Sequence, residues 1–287
     1  MRVIVTGASG KLGRTVVREL RANGHEIVAL DRVGERGPGF IRVDLSDYGD
    51  VIDAIDGIGS EGGIDGLVHL GAIPAPGLAS EVATFHNNMT STFNMFQAAR
   101  RLGIMTIVYA SSETVLGLPF DTPPPYIPVD EEYPARPESM YSLVKHLEEQ
   151  MAIEMVRWHP GMSITALRFS NVMDPEDYAE FPSFDTDARL RKWNLWSYID
   201  GRDGAQAVER ALSNPSGTGF ERFIIAAADT VMSRPNAELV AEVFPDVPVH
   251  GELGINDTLL SIAKARRLLG FEPKHSWRDH VTPALRG

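Results

Sequence analysis

Cysteine is absent from the 287 residues, which excludes disulfides, thiol nucleophiles and thiolate metal sites; no metal is expected. No apolar run approaches the ~18 residues of a membrane-spanning helix, and no basic amphipathic stretch marks a membrane surface. Positive charge is scarce: 27 Lys and Arg face 39 Asp and Glu, a formal net charge of −12. A nucleic acid would find no electrostatic footprint on such a chain. Residues 1–6, MRVIVT, enter a strand at once, so no signal peptide is expected. The glycosylation sequons at Asn88 and Asn256 are therefore read as chance. These exclusions point to a cytoplasmic protein without nucleic-acid or membrane partners.

What is present is enough apolar residue, 43%, for one large domain or two modest ones. Short β-branched runs at 2–6, 26–30, 40–43, 66–70, 105–110 and 163–169 read as strands buried on both faces of a parallel sheet. Between the first two, Leu12, Val16, Val17 and Leu20 share one helical face, and Gly24 ends the helix. Longer helical patterns cover 80–101 and 139–158. This alternation predicts an α/β, Rossmann-type doubly wound sheet. Residues 1–170 form the expected nucleotide-binding domain, and 171–287 a smaller C-terminal lobe interleaved with it. In that lobe, 173–187 reads as an irregular acidic excursion, followed by a helix at 203–213, a strand at 222–226 and helices near 235–243 and 258–269. The proline-rich stretch 118–138 is expected to form a rim over a substrate; the alternative is a rigid connector.

The turn VTGASGKLG sets Gly7, Gly10 and Gly13, with Lys11 and Leu12 among them, between the first strand and the first helix. A tight turn, close backbone approach to a pyrophosphate and close helix–strand packing each need a residue without Cβ. The phosphates then meet the positive N-terminus of the helix. Asp31 ends the second strand, where a carboxylate accepts from both ribose hydroxyls and repels a 2′-phosphate. NAD is therefore favoured over NADP, although the adjacent Arg32 could hold the extra phosphate. Asp44 and Leu45 end the third strand near the expected adenine. Leu70, Gly71 and Ala72 end the fourth beside the cofactor, and His69 inside that strand is read as a core histidine.

Tyr141 and Lys145 in MYSLVKH lie one helical turn apart. Ser111 and Ser112 run off the end of the apolar strand VYASS. A tyrosine can act as base only if its pKa, about 10 unperturbed, is pulled down. Lys145 and a cationic nicotinamide are sources of such a field. Ser112 would hold the same substrate oxygen by a hydrogen bond.

These motifs resemble the extended short-chain dehydrogenase/reductase superfamily, within it the NAD-dependent epimerase/dehydratase family. TGASGKLG is similar to its TGxxGxxG loop, and YSLVK to its Tyr-x-x-x-Lys. SSETVLG is similar to its Ser-Ser-x-x-Val-Tyr-Gly, with Leu116 in place of tyrosine. NNMTSTFNMFQAAR resembles its Asn-Val-x-Gly-Thr helix and puts Asn88 at the matching asparagine. LRFSNVMDP resembles Leu-Arg-x-x-Asn-Val-Tyr-Gly-Pro, with Met173 and Asp174 as departures, and SYIDGRDGAQAV and LLGFEPKHSWRDHV resemble later signatures. The resemblance implies a catalytic Ser112, Tyr141 and Lys145. It implies NAD held by the residues above together with Asn88, Ser111, Tyr141 and Lys145, and a homodimer paired through the helices at 80–101 and 139–158.

The same resemblance disfavours a dehydratase, because Glu113-Thr114 stands where those enzymes have Asp-Glu. What remains is a net dehydrogenase of a sugar or uronate, since RLRKWNLWSYID is similar in character to uronate dehydrogenases. The alternatives are a nucleotide-sugar epimerase that retains NAD, and a catalytically silent NAD-binding regulator. Substrate contacts are expected from Ser111, Ser112, Glu113, Asn171, Arg189 and Trp196. Arg191 and Lys192 could also hold a carboxylate or diphosphate, and Trp193 and Trp196 could stack on a sugar or pack in the core.

Overall fold

The computed structural model describes residues 1–34, 37–60, 62–213, 217 and 219–280; residues 281–287, at the end of the expected second lobe and of its last signature, lie outside these. Seven parallel strands form the central sheet: β1 (Arg2–Thr6), β2 (Glu26–Asp31), β3 (Phe40–Arg42), β4 (Gly66–His69), β5 (Thr106–Ser112), β6 (Ser163–Phe169) and β9 (Gly219–Ile225). Their spatial order is β3-β2-β1-β4-β5-β6-β9. A two-stranded ribbon, β7 (Val172–Met173) with β8 (Ile199–Asp200), stands apart.

Alternation along β1 shows how the layers form. Val3 and Val5 face a cluster with Val16 and Leu20 of α1 (Lys11–Ala22) and Ala207, Val208 and Ala211 of α6 (Gly201–Ser213). Ile4 points the other way, into a cluster with Val51 and Ile55 of α2 (Tyr48–Ser60), Met95 and Phe96 of α3 (Glu81–Arg101), and Ala152 and Met155 of α4 (Met140–Trp158). Both sheet faces are thus covered, which is why the strands read as continuous apolar runs rather than alternating ones. The remaining helices, α5 (Phe181–Phe184), α7 (Asn236–Val243) and α8 (Ala263–Leu269), lie in the C-terminal third. No helix of the described residues is long and apolar enough to cross a membrane.

Two expectations need correction. The last predicted helix begins at Ala263, not near 258, because the preceding residues are extended: Val129 N–H donates to Leu259, and Ser261 N–H to Val129. This pairing also fixes the proline-rich stretch, whose Ile127 N–H donates to Pro248 and whose buried Glu131 accepts from Ile224 N–H at 2.8 Å. Residues 118–138 line no part of the cleft described below, so the stretch is a connector and not a rim. The helix α2, which carries Gly49, Gly57 and Gly59, has no counterpart in the sequence reading.

Beneath β5 and β6 lies a fully buried ion pair. Arg168 of β6 donates to Glu149 of α4 through Nε at 2.8 Å and Nη2 at 2.7 Å, and Ser111 Oγ donates to the same carboxylate at 2.7 Å. Removing one partner leaves an uncompensated charge at about 0–1% exposure. Glu149→Ala should therefore cost about 3–5 kcal/mol in denaturant unfolding, whereas the double replacement Glu149→Met/Arg168→Met should cost far less than the sum of the two single replacements.

Candidate active site

All seven strands run the same way, so their carboxyl ends gather on one edge. Between β1 and β4 the strand order reverses, and a crevice opens there. It encloses about 830 Å³, within the range of ligand sites. One limb is the glycine turn. Gly7 has φ +64°, and a Cβ on it would fall 2.6 Å from Gly71 N; a Cβ on Gly13 would fall 2.0 Å from Gly7 O. No side chain could fit at either position. The first turn of α1 has neither a capping side chain nor an acid, so its N–H groups face the crevice uncapped.

Gly7, Gly10, Lys11, Leu12, Gly13, Asp31, Arg32, Asp44, Leu45, Leu70, Gly71 and Ala72 all line this limb. Asp31 accepts from Ser9 N–H at 2.9 Å and Val33 N–H at 3.2 Å, which fixes its carboxylate at the end of β2. Asn88 does not line the crevice. Its buried amide accepts from Ile73 N–H at 2.8 Å and donates to Ile73 O at 3.0 Å, so it shapes the Ile73–Pro76 wall from behind.

The other limb joins the end of β5 to the start of α4. A capping box starts α4: Ser142 N–H donates to Ser139 Oγ at 3.1 Å and Ser139 N–H to Ser142 Oγ at 2.9 Å. Tyr141 and Lys145 then fall on the turn that faces the crevice beside Ser111 and Ser112. Lys145 Nζ lies 5.9 Å from the Tyr141 ring centre. Ser112 Oγ accepts from Thr114 N–H at 3.1 Å and from the Thr114 hydroxyl at 2.9 Å. With both lone pairs taken, the Ser112 proton is free to be donated, and its partner is Tyr141. Thr114 thus sets the serine's polarity, a role that a hydroxyl two positions on from a strand-end serine could have signalled.

Electrostatics at Tyr141 run against the simplest expectation. Burial pushes its phenol up; Lys145 and the Ser112 hydrogen bond pull it down, while Glu148 and Glu113 reinforce burial, and the net direction is upward. Among the protein's own groups, lysine alone does not produce a low-pKa tyrosine.

Several sequence candidates sit elsewhere. Trp196 is fully buried, its Nε1 donating to Ala188 O at 2.7 Å, and its ring packs on Phe244. Arg189 is exposed and pairs with Glu242 at 3.2 Å, and Lys192 pairs with Asp121 at 3.0 Å. None of the three lines the crevice. Trp193 does, with the Arg191 guanidinium stacked 4.8 Å from its ring centre. Asn171 and Ser170 also line it, while Ser111 lines it but commits its hydroxyl to Glu149.

Glu113 is the most perturbed acid at this limb. Ser170 Oγ donates to one oxygen at 2.6 Å and Asn194 Nδ2 to the other at 3.1 Å. Burial nevertheless pushes the carboxyl up to about 7, against those bonds, the Arg191 charge and the Asn171 N–H. Among the described residues, the other acids lining the crevice are Asp31 and Asp44, at the ends of β2 and β3.

Comparison with known proteins places these features in context. The profile of the NAD dependent epimerase/dehydratase family matches residues 3–226. UDP-glucose 4-epimerase of Bacillus subtilis is 31% identical over 183 residues, 60% of this chain and 52% of that protein. The match therefore spans about half the length of that relative. Uronate dehydrogenase of Pseudomonas syringae is 28% identical over 220 residues, 75% of this chain and 70% of that protein. A short-chain dehydrogenase/reductase superfamily protein of Agrobacterium tumefaciens, solved with bound NAD, superposes with a TM-score of 0.72 at 25% identity over 98% of this chain and 94% of that one.

The raised Glu113 pKa sets a pH dependence. Below pH ~4.5 the carboxyl is protonated whether folded or not; between there and about 7 only the unfolded chain gives up the proton. Stability from this group therefore falls as pH rises, by roughly 3 kcal/mol at most. Glu113→Gln should remove this fall, so that its melting temperature relative to the unmodified protein climbs from pH 5 to pH 7 and then levels off. A constant difference across that range would show Glu113 to be ionised throughout.

Proposed function

The chain belongs to the NAD dependent epimerase/dehydratase family, and from that premise we propose that it is a net dehydrogenase of a free sugar or uronate. Its glycine turn, the uncapped start of α1 and Asp31 fit a dinucleotide. When bound, NAD supplies the acceptor for a hydride from a carbinol carbon. Tyr141 takes the hydroxyl proton, Ser112 donates a hydrogen bond to the same oxygen, and Lys145 holds positive charge beside the phenol. The residues that would face the substrate are Ser112, Glu113, Thr114, Asn171 and Trp193, drawn from both sides of the expected lobe boundary at residue 171.

One observation carries the choice of a free sugar. A nucleotide sugar brings a diphosphate, which calls for cations. The cations lining the crevice, among the described residues, are Lys11 and Arg32 on the cofactor limb and Lys145 at the catalytic end. Arg189 and Lys192 are paired outside it, and Arg191 lies buried behind Trp193. The epimerase reading keeps one observation in its favour, the 31% identity to a UDP-glucose 4-epimerase. A panel of aldoses and uronates with NAD, followed for net NADH, tests the two. NADH from a free sugar supports the dehydrogenase, whereas interconversion of UDP-sugars without NADH release would overturn it.

We also take the protein as a cytoplasmic homodimer. Val82 and Phe93, 67% and 47% exposed, lie three turns apart on one face of α3, which packs beside α4. Light scattering should give twice the 31.5 kDa chain mass; the chain mass alone at all concentrations would contradict pairing.

On the substrate that the panel identifies, Tyr141→Phe should lower turnover about 10²–10⁴-fold with NAD binding little changed. Single-turnover kinetics and calorimetry read the two separately. Near-full turnover would remove the tyrosine from the chemistry.

A further inference from the structure

The ammonium of Lys145 is buried on every side but the crevice, and its partners form a chain whose hydrogen-bond directions can be worked out one by one. Leu70 and Gly71 N–H both donate to Thr6 Oγ1 at 3.2 Å. With its acceptor capacity taken, the Thr6 hydroxyl donates to His69 Nδ1 at 2.7 Å. His69 must then carry its proton on Nε2, which donates to Thr92 Oγ1 at 3.1 Å. The Thr92 hydroxyl in turn donates to Glu148 Oε1 at 2.8 Å, and Lys145 Nζ donates to Glu148 Oε2 at 2.9 Å. Lys145 spends a second donor on Ala110 O at 2.8 Å. Every group fits its neighbour with a single tautomer and an ionised Glu148.

We infer that Thr6, His69, Thr92 and Glu148 are positioning residues for Lys145, a one-way hydrogen-bond chain that holds its ammonium in place and ties it to the backbone of Leu70 and Gly71 at the cofactor limb. The inference rests on reading Lys145 as part of the catalytic machinery. The chain crosses four elements, β1, β4, α3 and α4, and all its side chains are buried. Its ends are both on the crevice, at Gly71 and Lys145.

Charge agrees with the geometry at Lys145 and His69, while burial pushes Glu148 itself up against the pull of Lys145 and the Thr92 hydrogen bond. Burial lowers the proton affinity of Lys145, yet Glu148, with Tyr141 and Glu149, more than offsets it and the net direction is upward. Burial, helped by the Lys145 charge, pushes His69 down to about 3, so the imidazole stays neutral at physiological pH. The other charged or titratable groups facing this cluster are Glu113 before the Tyr141 phenol, Tyr109 on β5 and Arg168 on β6. Arg168 is committed to Glu149.

The test reads the lysine directly. The chain has only five lysines, at 11, 145, 192, 264 and 274, so ¹⁵N-labelled Nζ resonances can be followed against pH, with Lys145→Met assigning its own. Glu148→Gln should lower the Lys145 titration by roughly one pH unit or more. Thr92→Val should move it the same way by less and change the His69 ring shifts, and Thr92→Ser should restore both. His69 should read as the neutral Nε2–H tautomer from pH 5 to 8. An unchanged Lys145 titration in a folded Glu148→Gln protein, or the Nδ1–H tautomer at His69, overturns the chain. If Glu148→Gln does not fold, the Thr92 pair decides alone. These readouts use no substrate: Lys145→Met retaining turnover would sink the catalytic reading of the lysine while leaving the titration result intact.

Discussion

Lys145 keeps a full positive charge where water reaches it from one side only, and much of the surrounding chemistry follows from that constraint. A buried ammonium needs an ionised partner at hydrogen-bond distance. Glu148, fully buried, is that partner, and it creates a second problem because its own oxygens must be satisfied. Thr92 and His69 supply the answer from two other elements. The neighbouring Glu149 faces the same demand and meets it with Arg168 and Ser111. One turn of α4 therefore anchors β1, β4, β5, β6 and α3 through polar contacts that an apolar core would not require. Such a core fixes positions more narrowly than packing alone, since each hydrogen bond tolerates only a few tenths of an ångström.

The cost appears at Tyr141. Glu148 holds Lys145 charged and also stands as a negative charge behind the phenol, which burial already disfavours as phenolate. Glu148 offsets part of the lysine's pull at the tyrosine, but Lys145 stays the largest downward influence there. Ser112, which Thr114 orients as a donor, adds to that pull. A cationic ring in the cofactor limb would add to it from the open side, an arrangement in which base strength depends on the cofactor being present and oxidised.

The sheet and the cofactor limb were legible in the sequence because their signals are local. Glycine spacing, a strand-end Asp31 and the β-branched runs are each set by neighbours in the chain, and six strand positions are matched to within two residues at either end. Tyr141 and Lys145 were legible for the same reason, one helical turn apart. The polar chain was not: Thr92 and Glu148 are 56 positions apart, and Thr6 and His69 are 63, so no periodicity reports them. The substrate end misled most. Arg189 and Trp196 look like ligands in an arginine- and tryptophan-rich run, but a short 3₁₀ segment (Ala188–Asn194) turns Arg189 outward and leaves Trp196 in the core. Without a regular period, the direction of each side chain there is decided by packing against Phe184 and Phe244, which lie outside the run.

That packing bears on what the site could accept under the proposed function. Trp193 is the one large ring of the 188–196 run at the crevice, and Arg191 backs it at 4.8 Å while donating to Ser197 O. The guanidinium is desolvated, and the charge of Glu113 acts against that burial. Arg191, Asn194 and Glu113 therefore form a polar base under the substrate end, in which the raised carboxyl of Glu113 feels the Arg191 charge. Protonating Glu113 leaves that cation less compensated, and ionising it costs desolvation. Burial outweighs the hydrogen bonds from Ser170 and Asn194 and, after them, the Arg191 charge, which leaves the carboxyl at about 7. Under the proposed function, a sugar hydroxyl meeting Glu113 would find a group able to accept or donate with small change in pH, whereas a diphosphate there would meet a carboxyl. In the proposed reading the floor of the site offers neutral polar contacts, while the buried Arg191 guanidinium backs the Trp193 wall.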